Sequence, residues 1–191
     1  MSGALSWGGA PYRALGVDAP RLLPWLWGIP EEEREGALDE LWSELRGVNV
    51  RYVKVFVGWT REAWATLSGP QSFAPGVELV DLLTHSAARG GLKLVFVLTD
   101  PRRALVGYED YLRWGGVGAP TLADERAVYQ TGRVKEALLS ALSLWHARFN
   151  EQTGLFYRED PTILGWSLMS APEWASLSAP QRAAASAYLT E

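Results

Sequence analysis

Apolar residues recur along this chain at two spacings, and the spacing separates helices from strands. Leu38, Leu41, Trp42 and Leu45 fall three and four apart, which is one apolar face of a helix. Pro30 suits a first helical turn and Glu31, Glu32 and Glu33 suit its positive end, so the helix is expected from Pro30 to a stop at Gly47. A second helix is predicted over 77–89, ended by Gly90 and Gly91. A third is predicted over 131–150, with Val134, Leu138, Leu142, Trp145 and Phe149 on one face. Shorter helices are expected at 61–67 and from 179 onward.

Between the helices lie short, nearly unbroken apolar runs rich in Val, Ile and aromatic residues, at 50–57, 92–98 and 163–169. Such runs fit strands buried on both faces, the condition of a parallel sheet. Residues 12–17 make a shorter strand candidate. Pro20 and Pro24 predict a loop after it. A long excursion from Arg102 to about Gln130, with Tyr108, Tyr111, Trp114 and Gly115-Gly116, is the kind of insertion that carries function. The sum is a strand–helix alternation, repeated four times in a single domain, 1–191, and an α/β fold.

Composition narrows the chemistry. The 191 residues are 48% hydrophobic and 21% charged, a globular balance. A net charge of −4, with both signs mixed, argues against a nucleic-acid partner, which selects a basic stripe. There is no cysteine, and the two histidines, His85 and His146, lack ligand spacing, so no metal and no cofactor is expected. No apolar run approaches the ~20 residues of a membrane span. The first residues lack a charged and then apolar leader, which predicts a cytoplasmic chain. The ten tryptophans are numerous enough to raise the question of sugar platforms, although aromatics also dominate cores.

The segment from Asn150 to Glu173 sharpens that question. It reads Asn150, then Thr153-Gly154, Tyr157, Glu159-Asp160, Pro161-Thr-Ile163, and Trp166-Ser-Leu-Met-Ser170-Ala171-Pro172-Glu173. In order and spacing it resembles the endo-β-1,4-mannanases of glycoside hydrolase family 5, which carry Trp-Glu-Leu-Ala-Asn-Glu-Pro at its end. Gly47-Val-Asn-Val50 with Val53-Lys-Val-Phe56 is similar to the family's second strand. Leu15-Gly-Val-Asp18 is similar to its first, and Tyr111-Leu-Arg-Trp114 to the element before its third helix. The resemblance implies half of a (β/α)8 TIM barrel: four parallel strands with helices on the outer face. A whole barrel needs about 250 residues.

The resemblance also implies a β-1,4-linked oligosaccharide or polysaccharide as ligand, and relatives that are often secreted. The family's retaining chemistry needs two carboxyl groups about 5 Å apart, one as acid/base and one as nucleophile. Here Ala171 stands at the acid/base position, preceded by Ser170 where the family has Asn, and a methyl group donates no proton. Lys54 stands at the usual arginine of strand two, without its fork geometry. The nucleophile's strand seven has no counterpart in these residues. No catalytic residue is therefore assigned. Glu173 is displaced by about 6–7 Å along an extended strand, too far to substitute.

The substrate-binding candidates are Asp18, Lys54, Trp59, Asp100, Trp114 and Ser170. Asp18 and Asp100 end strands one and three, where each either bonds sugar hydroxyls or caps a turn. Trp59 and Trp114 are the platform candidates. Trp166 has parity opposite to Ala171 and is expected to face a helix. A half barrel leaves the inner sheet face and both edge strands bare. Two copies could close into a homodimer, a companion half-barrel chain could supply the rest, or these residues are part of a longer reading frame.

Overall fold

A computed structural model describes residues 6–7, 10–11, 14–57, 76–98, 132–168 and 179–180. Four strands form one parallel sheet: β3 (Leu15–Ala19), β4 (Val50–Phe56), β5 (Lys93–Val97) and β8 (Ile163–Ser167), in that order across it. The strands therefore sit side by side in chain order, as repeated right-handed strand–helix–strand units require. Two two-residue hairpins complete the strands: β1 (Ser6–Trp7) with β2 (Ala10–Pro11), and β6 (Phe149–Asn150) with β7 (Leu155–Phe156). Among the described residues the α-helices with given bounds are α1 (Leu22–Trp27), α2 (Arg34–Gly47), α3 (Val77–Gly90) and α4 (Gly132–Ala147).

One face of the sheet is dry. Val53, Val55, Leu94 and Phe96 are 0% exposed and pack with Leu38 and Trp42 of α2 and Val80, Leu83 and Ala87 of α3. Each such side chain, removed from water, contributes on the order of 1.5–3 kcal/mol. This is the outer, helix-covered face. The indole of Trp42 donates to Ser86 Oγ at 2.8 Å, and Gly90 lies against the same ring, which lets α2 and α3 approach closely. Arg89 ties the pair at the surface through Glu35 and Asp39, each at 2.9 Å.

The alternate residues line the inner face. Register places Gly16, Tyr52 and Lys93 in one row, Asp18, Lys54, Val95 and Gly165 in the next, and Phe56, Val97 and Ser167 beyond. The expectation of a bare inner face is corrected here. Tyr52, Lys54, Val95 and Ser167 are half-buried, and Phe56 and Val97 are buried. Part of the cover is internal: the Tyr52 ring lies across Gly16, where an added Cβ would fall 2.0 Å from it.

Several local expectations also change. Pro24 lies inside helix α1, not in a loop, because the third helical position has no intrahelical use for an N–H. The stretch after Pro30 begins as one 3-10 turn, Glu31–Glu33, before the α-helix starts at Arg34. Gly47 is helical, and it is Asn49, with φ 64°, that takes the left-handed turn into β4. Phe149 belongs to a strand and is exposed, because α4 ends at Ala147.

The β6–β7 hairpin was not expected, and its residues explain it. Asn150 Oδ1 accepts from the Gln152 N–H at 2.9 Å, Asn150 O accepts from Gly154 N at 2.8 Å, and Gly154 supplies φ 71°. The hairpin is fastened to α3 through Asp81. That carboxylate accepts from Arg148 Nε at 2.8 Å, from Arg148 Nη2, and from the Tyr157 hydroxyl at 2.6 Å. Asn150 Nδ2 donates to Asp81 O at 3.1 Å. The Asp81 bond raises the Arg148 guanidinium above its ordinary value, against its burial. Burial, then the charge of Asp81, pushes the Tyr157 hydroxyl well above its ordinary range.

Candidate functional site

The inner face brings two of the sequence candidates together. Asp18 and Lys54 are register partners on β3 and β4, and Lys54 Nζ lies 3.6 Å from Asp18 Oδ2. Their side chains are 59% and 27% exposed respectively. An ion pair this open is screened by solvent and adds little to stability. Lys54 Nζ also lies 5.6 Å from the centre of the Phe56 ring, so the ammonium is held above an aromatic face. At the β8 end of the same row, beyond Val95, Gly165 has nothing within 4 Å of where a Cβ would be.

The parity that the site needs is visible in β8. Gly165 and Ser167 are register partners of Val95 and Val97 on the inner face, and Trp166 partners Phe96 on the outer face. Trp166 meets Phe96 edge-on at 5.1 Å and His146 of α4 at 5.1 Å, so it does face the helix layer. His146 titrates below its ordinary value, first through burial and then through the nearby Arg158 charge. Trp59, Asp100, Trp114, Ser170, Ala171 and Glu173 lie outside the described residues.

Sequence reasoning missed two exposed aromatics. Trp25 and Trp27, on the helix that follows β3, are 44% and 51% exposed, and Arg34 sits 5.9 Å from the Trp27 ring centre. Reading Pro20–Pro24 as a loop removed the helical periodicity that would have turned Trp25 and Trp27 away from buried Leu22, Leu23 and Leu26. Among the described residues no group of three or more His, Cys, Asp or Glu side chains is placed to hold a metal ion. Among the same residues no helix is long and apolar enough to cross a membrane.

The fold and the residue pattern define a class: a parallel strand–helix sheet of the kind found in glycosidase TIM barrels, with the Asp18–Lys54 ion pair on its inner face. Comparison with known proteins then points to one kind within it. The chain is 30% identical over 118 residues to mannan endo-1,4-beta-mannosidase 4 of Oryza sativa subsp. japonica, which covers 57% of the chain and 26% of that protein. It is 27% identical over 112 residues to mannan endo-1,4-beta-mannosidase 7 of Arabidopsis thaliana, covering 59% of the chain and 26% of the relative. No family model matches.

Among solved structures, the endo-1,4-beta-D-mannanase of Thermotoga petrophila superposes with a TM-score of 0.66 at 20% identity. That match covers 84% of this chain and 46% of the enzyme. The endo-1,4-beta-mannanase of Rhizomucor miehei gives 0.64 at 18%, covering 88% and 46%. At these identities the structural likeness shows the fold. The chain is thus mannanase-like and partial: it spans about a quarter of the length of the curated relatives it matches, and under half of the solved ones.

Proposed function

We propose that these residues form the first four strand–helix units of a β-1,4-glycan hydrolase barrel of the mannan type, and that they do not cleave glycan on their own. The observation that carries this reading is the run Ser170-Ala171-Pro172-Glu173, which follows β8 in the sequence, where similar enzymes carry Asn-Glu-Pro. Odd-numbered β8 positions, Gly165 and Ser167, share the inner face with Asp18 and Lys54. The methyl group of Ala171 offers no proton to a leaving oxygen, and general acid catalysis is worth about 10²–10⁴-fold in rate. The test is reducing-sugar release from mannan by the purified chain. Release at the buffer rate is expected; turnover above it contradicts the reading.

A second reading is favoured by the open Asp18–Lys54 pair: a surface that holds a β-1,4 oligosaccharide without cutting it. Carboxylate and ammonium heads at 3.6 Å suit adjacent hydroxyls of one pyranose ring. Trp59, Trp114, Asp100 and Ser170 would extend that surface. Calorimetric titration with mannohexaose separates the two. Heat that is lost in Lys54→Met supports binding, and no heat in the unaltered chain dismisses it.

A further inference from the structure

A cavity of about 690 Å³ opens in the helix layer, apart from the Asp18–Lys54 pair on the inner sheet face. Four elements wall it: the end of α1, the 3-10 turn with the start of α2, the start of α3, and the turn of the β6–β7 hairpin. Its volume falls in the roughly 300–1,000 Å³ range of small-ligand sites.

The walls are fixed by bonds behind them. Arg34 Nε donates to Ile29 O at 3.0 Å, and the guanidinium carbon stands 5.9 Å from the centre of the Trp27 ring. Glu35 is tied to Arg89 of α3 at 2.9 Å. The Gln152 N–H donates to Asn150 Oδ1 at 2.9 Å, in the hairpin that Asp81 fastens to α3. Walls set in place before a ligand arrives leave less order to be imposed on binding.

The lining is chemically mixed. Trp27, 51% exposed, supplies a broad apolar ring. Exposed Glu31, Glu32 and Glu78 supply acceptors, and Arg34 and Gln152 supply donors. Among the described residues no three acidic side chains are placed to hold one metal ion, so these carboxylates are spread along the cavity and do not converge. A polycation would use the acceptors alone, and it would meet the Arg34 guanidinium, which already takes the cation's place beside the Trp27 ring. A pyranose ring uses everything present. Its C–H face packs on an indole, its hydroxyls donate to carboxylates, and its oxygens accept from guanidinium and amide.

The geometry points to a glycan-binding site in the helix layer, with Trp27 as the platform for one sugar ring and with Glu78 and Gln152 holding hydroxyls across the cavity. Such a site tethers a polysaccharide and cleaves nothing. The choice of a β-1,4-linked glycan rests on the proposed function.

The test is calorimetric titration of residues 1–191 with mannohexaose, for the unaltered chain and for Trp27→Ala, Glu78→Gln and Lys54→Met. Circular dichroism checks that each variant folds, and Glu78→Gln stands in should Trp27→Ala fail to. Heat is expected from the unaltered chain. Trp27→Ala should weaken binding at least about tenfold, and Glu78→Gln about threefold or more. Lys54→Met should leave the Trp27-dependent heat unchanged. No heat from the unaltered chain overturns the inference, and so does heat that both cavity variants keep in full. Heat lost only in Lys54→Met assigns the sugar to the inner face and overturns it too. Spermine that gives salt-sensitive heat where mannohexaose gives none reassigns the cavity to a polycation. The two readings fail separately: sugar release from mannan by the purified chain contradicts the proposed function, and heat independent of Trp27 and Glu78 contradicts this one.

Discussion

Replacing Asp81 by alanine should unfasten the β6–β7 hairpin from helix α3, and the size of the effect follows from its partners. Three hydrogen bonds end on this carboxylate, two from Arg148 and one from the Tyr157 hydroxyl. Asp81 and Arg148 side chains are 10% and 20% exposed, so solvent compensates little. Removing one member of a buried ion pair costs about 3–5 kcal/mol. Partial access of water to Arg148 argues for the lower end, about 3 kcal/mol. Tyr157→Phe removes one hydrogen bond to a charged acceptor and keeps the ring stacked on Trp145, so about 1.5 kcal/mol is expected. Both changes together should cost less than the sum, because they share one acceptor. Urea unfolding followed by tryptophan fluorescence measures all three. A loss below about 1 kcal/mol for Asp81→Ala, or strict additivity, would refute the clamp.

Other consequences are simpler to state. Since Tyr157 is held neutral by its surroundings, the unfolded chain loses that proton first as pH rises through about 10, and stability falls from there upward. Tyr157→Phe should flatten that alkaline slope, read from urea midpoints between about pH 9 and 11. His146 has the opposite sign: with its folded value lowered, the unfolded chain takes up the proton first, and stability falls as pH drops below about 6.5. His146→Gln should remove that part of the acid slope; an unchanged slope would exclude the residue. Gly90→Ala would bring a Cβ within 3.1 Å of the Cβ and ring of Trp42, which Ser86 holds in place. The strain of about 1–3 kcal/mol should outweigh a helix-propensity gain of about 1, and a thermal midpoint that rises would show that Trp42 gives way.

Residues that must be buried on both faces announce themselves. Val50–Phe56, Lys93–Val97 and Ile163–Ser167 were legible as strands because a parallel sheet selects short runs rich in Val, Leu, Ile and aromatic residues. Their order followed from the helices between them. The β6–β7 hairpin was hidden because its fastening depends on Asp81, sixty-seven or more positions from its partners. Pro24 misled because a proline signals a break and a first helical turn equally well. Of the site, Asp18 and Lys54 were legible one at a time, by position at strand ends. Their 3.6 Å approach is a product of register between strands, which one strand's pattern does not encode. The exposure of Trp25 and Trp27 carried no signal once their helix was read as a loop.

The central claim is tested most directly by restoring the missing carboxyl group. Reducing-sugar release from mannan is measured for residues 1–191 fused to the part of the Thermotoga petrophila mannanase outside the match, with alanine at position 171, and for the Ala171→Glu, Ser170→Asn variant of that fused barrel. The account predicts slow or no release from the first and a rise of about 10²–10⁴-fold in the second. Equal rates from the two proteins, with the barrel cooperatively folded, would contradict it.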